Sequence, residues 1–441
     1  MFQDGILAYH FRIGLLSLRR HKFLTMLMVL AIGMGIGAAM TTLTVFFVVS
    51  GDPIPEKSAR VFHPRLDASS MSGYVAGSEP PDLMTRLDAE NLLRDKRGKH
   101  QAAMYAGSTI INPGRGERIP FKQVTRYTTV DFFVMFQVPF THGGAWSAAD
   151  EETRARVVVL GEDLNRRLFG GVDSVGRTVQ INDNDFRVIG VVGRWHPQPN
   201  FYDVNNASGF GESEQLFLPF STSRELRMGL TGAIDCWGEA DKSEGRLGLS
   251  APCAWVQYWV ELDSPADAAA YHQYLADYSA QQRQAGRYER PVNVRLDDVR
   301  QWLDYKRVLP GDVRLQAWLA FGFLLVCLLN TMGLLLAKFL RRSAEIGVRR
   351  ALGAARSTIF AQCLVEAGVI GLAGSALGLL LAYGGLWLVR QQPVGYASLA
   401  QLDPQMLFGT VVLAIVASLV AGVFPAWRAC LIAPAIQLKS Q

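Results

Sequence analysis

The chain has 441 residues, 49% of them apolar and 19% charged, with 44 Lys and Arg against 39 Asp and Glu for a net charge of +5. That apolar share excludes a disordered chain, and the charged share excludes one buried wholly in lipid. Much of the basic surplus flanks apolar runs instead of forming a patch of its own, which points to a lipid bilayer as partner and away from nucleic acid.

In residues 1–22, Ile6, Leu7, Phe11, Leu15 and Leu18 approximate helical spacing, with Arg12, Arg19 and Arg20 interleaved. This suits either a helix lying along the inner membrane surface or a basic flank without fixed structure. The apolar run 23–49 follows. It exceeds the roughly 20 residues that cross hydrocarbon. It is also longer than the about 7–15 residues of a signal-peptide core, and no A-x-A site closes it, so an uncleaved first span is expected. Gly33 and Gly37 stand four apart inside it, a spacing that lets helix backbones approach closely in lipid. The pattern leaves open whether the partner helix belongs to the same subunit.

At Ser50 the composition shifts to S-G-D-P-I-P-E-K, and residues 50–314 are enough for a folded domain with its own core. R-A-R-V-V-V-L-G-E-D-L-N-R-R-L predicts a strand over 156–160 and a helix over 162–168. Farther on, strands 178–181 and 186–192 are expected as a hairpin about an N-D-N-D turn. E-Q-L-F-L-P-F reads as another strand, and 267–283 as a helix free of Gly and Pro. The segment is therefore a mixed α+β ectodomain. Cys236 and Cys253 lie in a polar, Gly- and Ser-rich loop. Outside the cell they favour a disulfide, worth roughly 3 kcal/mol in the chain-entropy model, with two free thiols as the alternative.

Three further apolar runs, 315–337, 367–389 and 404–427, complete the chain. Arg12, Arg19, Arg20 and Lys22 precede the first run; Lys338, Arg341, Arg342, Arg349, Arg350 and Arg356 separate the second and third; Arg428 and Lys439 follow the fourth. The positive-inside rule then places both termini and the 338–366 loop in the cytoplasm, and 50–314 and the short 390–403 loop outside. The expected fold class is an α-helical polytopic membrane protein of four transmembrane helices, with the ectodomain between helices 1 and 2. Asn330 and Thr331 sit inside the second run, where hydrogen bonds between helices are expected. S-A-E-I-G-V-R-R-A-L-G predicts a short basic helix over 344–352, stopped by Gly353. The third run repeats the small-residue device at Gly371, Gly374 and Gly378.

No G-x-x-x-x-G-K-[ST] loop occurs, so ATP hydrolysis is not expected of this chain. His63, His100, His142, His196 and His272 are scattered without metal-ligand spacing, and no G-x-S-x-G elbow appears. No catalytic, cofactor-binding or metal residue is expected. No charged residue falls inside any of the four runs, which argues against an ion-coupled conduit through them.

E-I-G-V-R-R-A-L-G-A, then A-Q-C-L-V-E, then a Gly-rich span resembles the FtsX/MacB family of ABC-transporter permeases. The resemblance implies that the short helix couples to a separate ATPase. Glu345, Ile346, Gly347, Arg349, Arg350, Ala351, Gly353 and Ala354 fall on the motif, and Glu366 on the family's Glu before the third span. Ile346 and Leu352 are expected to enter a groove of that ATPase, with the charged residues as a polar rim. V-L-G-E-D-L-N-R-R-L-F-G-G-V-D-S-V-G-R-T-V-Q-I and F-R-V-I-G-V-V resemble the MacB-type periplasmic core domain, which implies two lobes, one inserted at about 126–220. F-P-A-W-R-A resembles the C-terminal signature, from which Gln437 and Lys439 depart.

By this resemblance the protein is expected in the bacterial inner membrane as a mechanotransmission permease. Its partners would be an ATPase dimer holding ATP and magnesium, a second permease subunit, identical or homologous, and, for efflux, a periplasmic adaptor and outer-membrane channel. Lipoprotein release and control of cell-wall hydrolases are alternatives within the family, and a membrane-anchored periplasmic sensor is the alternative outside it.

Overall fold

The structure, a computed structural model, describes residues 22–113, 119–205, 209–211, 213–308, 311–392 and 404–431. The expected surface helix of 1–22 lies outside these residues except for Lys22, as does most of the 390–403 loop and of the 428–441 tail. Two compact units make up the chain, one of them Gly51–Leu309 and the other formed by the segments flanking it in sequence. The second unit opens with helix α1 (Lys22–Ser50).

Unit 51–309 is built on a twelve-stranded mixed sheet. Its strands are β1 (Val61–Leu66), β2 (Met84–Thr85), β3 (His100–Asn112), β4 (Phe121–Thr128), β5 (Phe140–Gly143) and β6 (Val157–Gly161). They continue as β7 (Thr178–Ile181), β8 (Asn184–Val192), β9 (Leu216–Pro219), β10 (Asp235–Cys236), β11 (Cys253–Glu261) and β12 (Val294–Asp298). The main path runs β12-β1-β11-β3-β4-β9-β6-β8-β5. Along it only β4–β9 and β6–β8 are parallel.

Both faces of the central strands are covered. In β6, Val157 and Val159 join Phe132, Phe136, Trp146 and Trp259, whereas Val158 and Leu160 join Tyr105, Tyr127, Trp255 and Tyr258. Side chains alternate across a strand, so an unbroken apolar run is what a strand buried on both faces requires. Helices α2 (Arg86–Asp95), α3 (Glu162–Phe169), α4 (Pro265–Gln284) and α5 (Val299–Tyr305) accompany the sheet. α4 starts two residues before the expected 267 because Ser264 accepts from the Asp267 N–H as its cap and Pro265 suits the first helical turn.

The hairpin is tighter than its sequence suggested. Asn182 and Asp183, with φ of 43° and 62°, form a two-residue turn. Asn184 and Asp185 instead pair with Ile181 and Gln180 in the ladder. Cys236 and Cys253 stand opposite each other on β10 and β11 and are joined in a disulfide. His63 is buried against Trp259 and Trp302, its ring nitrogens 2.9 Å from the carbonyl oxygens of Tyr258 and Asp82.

The helical unit continues with α6 (Gly311–Arg341), α7 (Ser343–Ala351), α8 (Arg356–Arg390) and α9 (Pro404–Leu431). Among the described residues, three helices are long and apolar enough to cross a membrane: α1, α6 from Leu315 onward, and α8. Both α1 and α9 pack on α6 and α8. Small residues set the α1–α8 spacing. A Cβ at Gly33 or Gly37 would lie 2.9 Å from Leu377 or 2.7 Å from Leu381, and one at Gly374 or Gly378 would lie 2.6 Å or 2.8 Å from Ile32 or Ile36. These contacts lie within one chain. Gly371 is buried on the same helix, and its carbonyl accepts from the Ser375 hydroxyl. Thr331 does not bond another helix: its hydroxyl donates to the Cys327 carbonyl one turn back on α6. Asn330 is exposed on the surface of the same helix.

Candidate coupling site

Helix α7 has nine residues. Isolated helices shorter than roughly 12–15 residues are marginal in water, so its neighbours must hold it. Its C-terminus closes as Leu352 N–H donates to Val348 O and Gly353 N–H to Arg350 O, at 3.0 and 3.1 Å. Gly353 takes φ of 97°, which a side chain would resist, and the chain turns there into α8. The helix lies one residue earlier at each end than the expected 344–352. α8 begins at Arg356, so the third apolar run is extended at its N-terminal end by regular helix.

The two sides of α7 differ. Ile346 faces inward and packs against the cluster that contains Phe339, Ile359 and Cys363. Val348 and the capping residue Leu352, four apart, are 58% and 83% exposed. The sequence paired Ile346 with Leu352 as outward anchors, whereas the structure pairs Val348 with Leu352. Gly347 and Arg350 are partly exposed between these sides, and Ala351 completes the last turn.

An alternating line of charges runs from a buried pair between α6 and α8 out to partly exposed residues of α7. Lys338 of α6 touches Glu366 of α8, and their side chains are only 1% and 4% exposed. The other Glu366 oxygen accepts from Arg342 at 3.1 Å. Arg342 donates to Glu345 at 3.3 Å, Glu345 accepts from Arg349 at 2.7 Å, and Arg349 donates to Gln362 of α8 at 3.2 Å. The line therefore leaves α8 at Glu366 and returns to it one turn earlier at Gln362. Arg342, Glu345, Ile346, Arg349 and Glu366 also line a cavity of about 20 Å³, room for about one water.

Sequence reasoning placed Glu345, Arg349 and Glu366 on motifs but did not join them; it read Lys338 and Arg342 only as topology-setting charges and assigned no role to Gln362. One signal was present: Lys338 directly follows the second apolar run and Glu366 directly precedes the third, so opposite charges stood at one expected depth.

The ectodomain carries a cleft of about 760 Å³ lined by, among others, Arg86, Arg94, Lys99, Asp131, Glu151 and Arg224. Burial pushes the Glu151 carboxyl up to about 7, although the Val130 N–H donates to it. The cleft mixes both signs of charge without converging on one ligand chemistry.

Residues 25–278 match the MacB-like periplasmic core domain, and residues 317–434 match the FtsX-like permease C-terminal region. The macrolide export ATP-binding/permease protein MacB of Wolinella succinogenes is 24% identical over 438 residues, covering 96% of this chain and 60% of that protein. The pyoverdine export ATP-binding/permease protein PvdT of Pseudomonas aeruginosa is 24% identical over 374 residues, covering 84% of this chain and 50% of that protein. The chain thus spans about half to three-fifths of the length of these curated relatives. The crystal structure of the periplasmic region of MacB from Actinobacillus actinomycetemcomitans matches with a TM-score of 0.37 and 14% identity, over 58% of this chain and 96% of that one.

Proposed function

The chain belongs to the family that joins a MacB-like periplasmic core domain to an FtsX-like permease region, and from that premise we propose that it is the permease part of a mechanotransmission ABC transporter. ATP and magnesium are held by an ATPase subunit on the cytoplasmic side, where α7 docks. α1, α6, α8 and α9 cross the inner membrane, both termini face the cytoplasm, and the ectodomain faces the periplasm. A second permease subunit, identical or homologous, completes the assembly. The ATPase can drive a cycle only by binding two permease states with different affinity. The output is a change in ectodomain shape that exports a periplasmic substrate with an adaptor and an outer-membrane channel; the export proteins among the relatives support efflux over the family's other roles.

One observation carries this reading. The short helix, fastened by ion pairs through Glu345 and Arg349, leaves Val348 and Leu352 exposed beside them, an apolar anchor pair of the kind that enters a protein groove. The test is affinity purification of the full chain from its own membranes with a non-hydrolysable ATP analogue. An ABC-class ATPase in the eluate is expected. A kinase or regulator in its place would overturn the proposal and favour the sensor.

A further inference from the structure

Of the charges around α7, Glu366 is bound from two directions at once. One carboxylate oxygen meets Lys338 near the end of α6, and the other accepts from Arg342, which sits between α6 and α7. Glu366 itself belongs to α8. A single side chain thus ties the second apolar helix, the start of the short helix and the third apolar helix together. Exposure rises along the line, from 1% and 4% at Lys338 and Glu366 to 18% at Arg342, 36% at Glu345 and 42% at Arg349. The buried end lies at the boundary of the apolar runs, and the wet end on the short helix.

This arrangement is poorly explained by docking or by stability. Neither Lys338 nor Glu366 is exposed, so neither can touch a cytoplasmic partner directly. Buried ion pairs are also weak stabilisers, since taking both charges out of water costs about as much as their attraction returns. What such a pair does provide is a fixed geometry. The adjoining cavity has room for about one water, so α7 has little space to move inward without moving Glu366.

We propose that Glu366 is a positioning residue that converts displacement of α7 into movement of α6 and α8, with Lys338 and Arg342 as its two handles. The proposal rests on the reading of α7 as the ATPase-docking helix. Docking and transmission are then separate properties of one short helix: Val348 and Leu352 receive the ATPase, and Glu345, Arg349 and Arg342 pass its movement to Glu366. Loss of the carboxylate charge weakens the hold on both handles and leaves Val348 and Leu352 untouched.

The experiment measures backbone hydrogen exchange across the full chain, in complex with the ATPase that copurifies with it, with and without a non-hydrolysable ATP analogue. In the wild type the analogue changes exchange in 343–353 and in the ectodomain. In Glu366→Gln the ATPase still copurifies in wild-type amount and 343–353 still responds. The ectodomain response falls by at least about fivefold, the lower end of ordinary allosteric coupling. A second variant, Lys338→Met with Glu366→Met, removes both buried charges together and so avoids an uncompensated ion. It is expected to fold, to bind the ATPase and likewise to leave the ectodomain silent. A wild-type ectodomain response in either variant overturns the proposal. If no ATPase copurifies with the wild-type chain, the docking reading itself has failed, an outcome distinct from failure of Glu366 to transmit.

Discussion

One ectodomain core cluster is filled by rings set against one another; in the helical unit α1 and α8 meet where side chains are missing. Phe136 lies 5.0 Å from both Phe132 and Phe201, and Trp259 lies 5.3 Å from Phe201, all in one buried cluster. Between α1 and α8 close approaches are instead made at Gly33, Gly37, Gly374, Gly378 and Gly385. Buried charge is used differently as well. Arg126 is enclosed by Asp203 and Glu214 inside the ectodomain, which accept again from Gln257 and Tyr202, and all five side chains are buried. The Lys338–Glu366 pair continues outward to an exposed helix. The difference follows from solvent. In water, burying large apolar surface is favourable, whereas lipid offers nothing for apolar side chains to escape and close backbone packing takes over. The ring cluster is therefore sensitive to lost volume and the α1–α8 contact to added volume.

The largest expected effect tests the first half of that contrast. Trp259→Ala removes a ring that is 1% exposed and should destabilise the ectodomain by about 3–5 kcal/mol. Thermal unfolding of the purified full chain, followed by exchange in ectodomain peptides, would report it. A loss below about 1 kcal/mol would mean that the ring cluster is not what holds this unit.

Next comes the reverse substitution. Gly37→Val adds volume where a Cβ already lies 2.7 Å from Leu381 and 3.2 Å from the Gly378 carbonyl oxygen. Overpacking of about 1–3 kcal/mol is expected, seen as lower detergent stability of the helical unit with the ectodomain transition unchanged. An unchanged helical unit would remove the distinction between the two regions.

The smallest effect is a pH slope confined to the ectodomain. Folded Glu151 keeps its proton up to about pH 7, whereas its ordinary value is 4.5. The folded state binds more protons between these values, so stability falls as pH rises through that window. Glu151→Gln should flatten this part of the melting profile; an identical slope in the variant would show that the carboxyl is not buried in solution.

What was legible in the sequence tracks these same physical differences. The apolar runs stood out because a helix in lipid is apolar all round, and the strand around Val158 because both faces of β6 are covered. The hairpin turn was read too long because Asn184 and Asp185 look like turn residues, although their backbones continue the ladder. The orientation of α7 was misread for a related reason. Of the two expected anchors Ile346 turns inward, while Glu345 and Arg349 meet Arg342 and Gln362 and stay partly exposed beside Val348 and Leu352. Helical spacing says which residues share a side but not which side meets a partner.

The central claim is that α7 docks through Val348 and Leu352 and is fastened through Glu345 and Arg349, and Leu352→Asp in the full chain tests it most directly. The ATPase retained on the purified chain is measured as a function of its concentration, alongside thermal unfolding of both units. Because Leu352 is 83% exposed, the charge should leave unfolding unchanged while lowering ATPase affinity by about thirtyfold, near 2 kcal/mol. Ile346→Asp, by contrast, should destabilise the helical unit, since that side chain packs against the helical core. Wild-type ATPase affinity in Leu352→Asp would contradict the account.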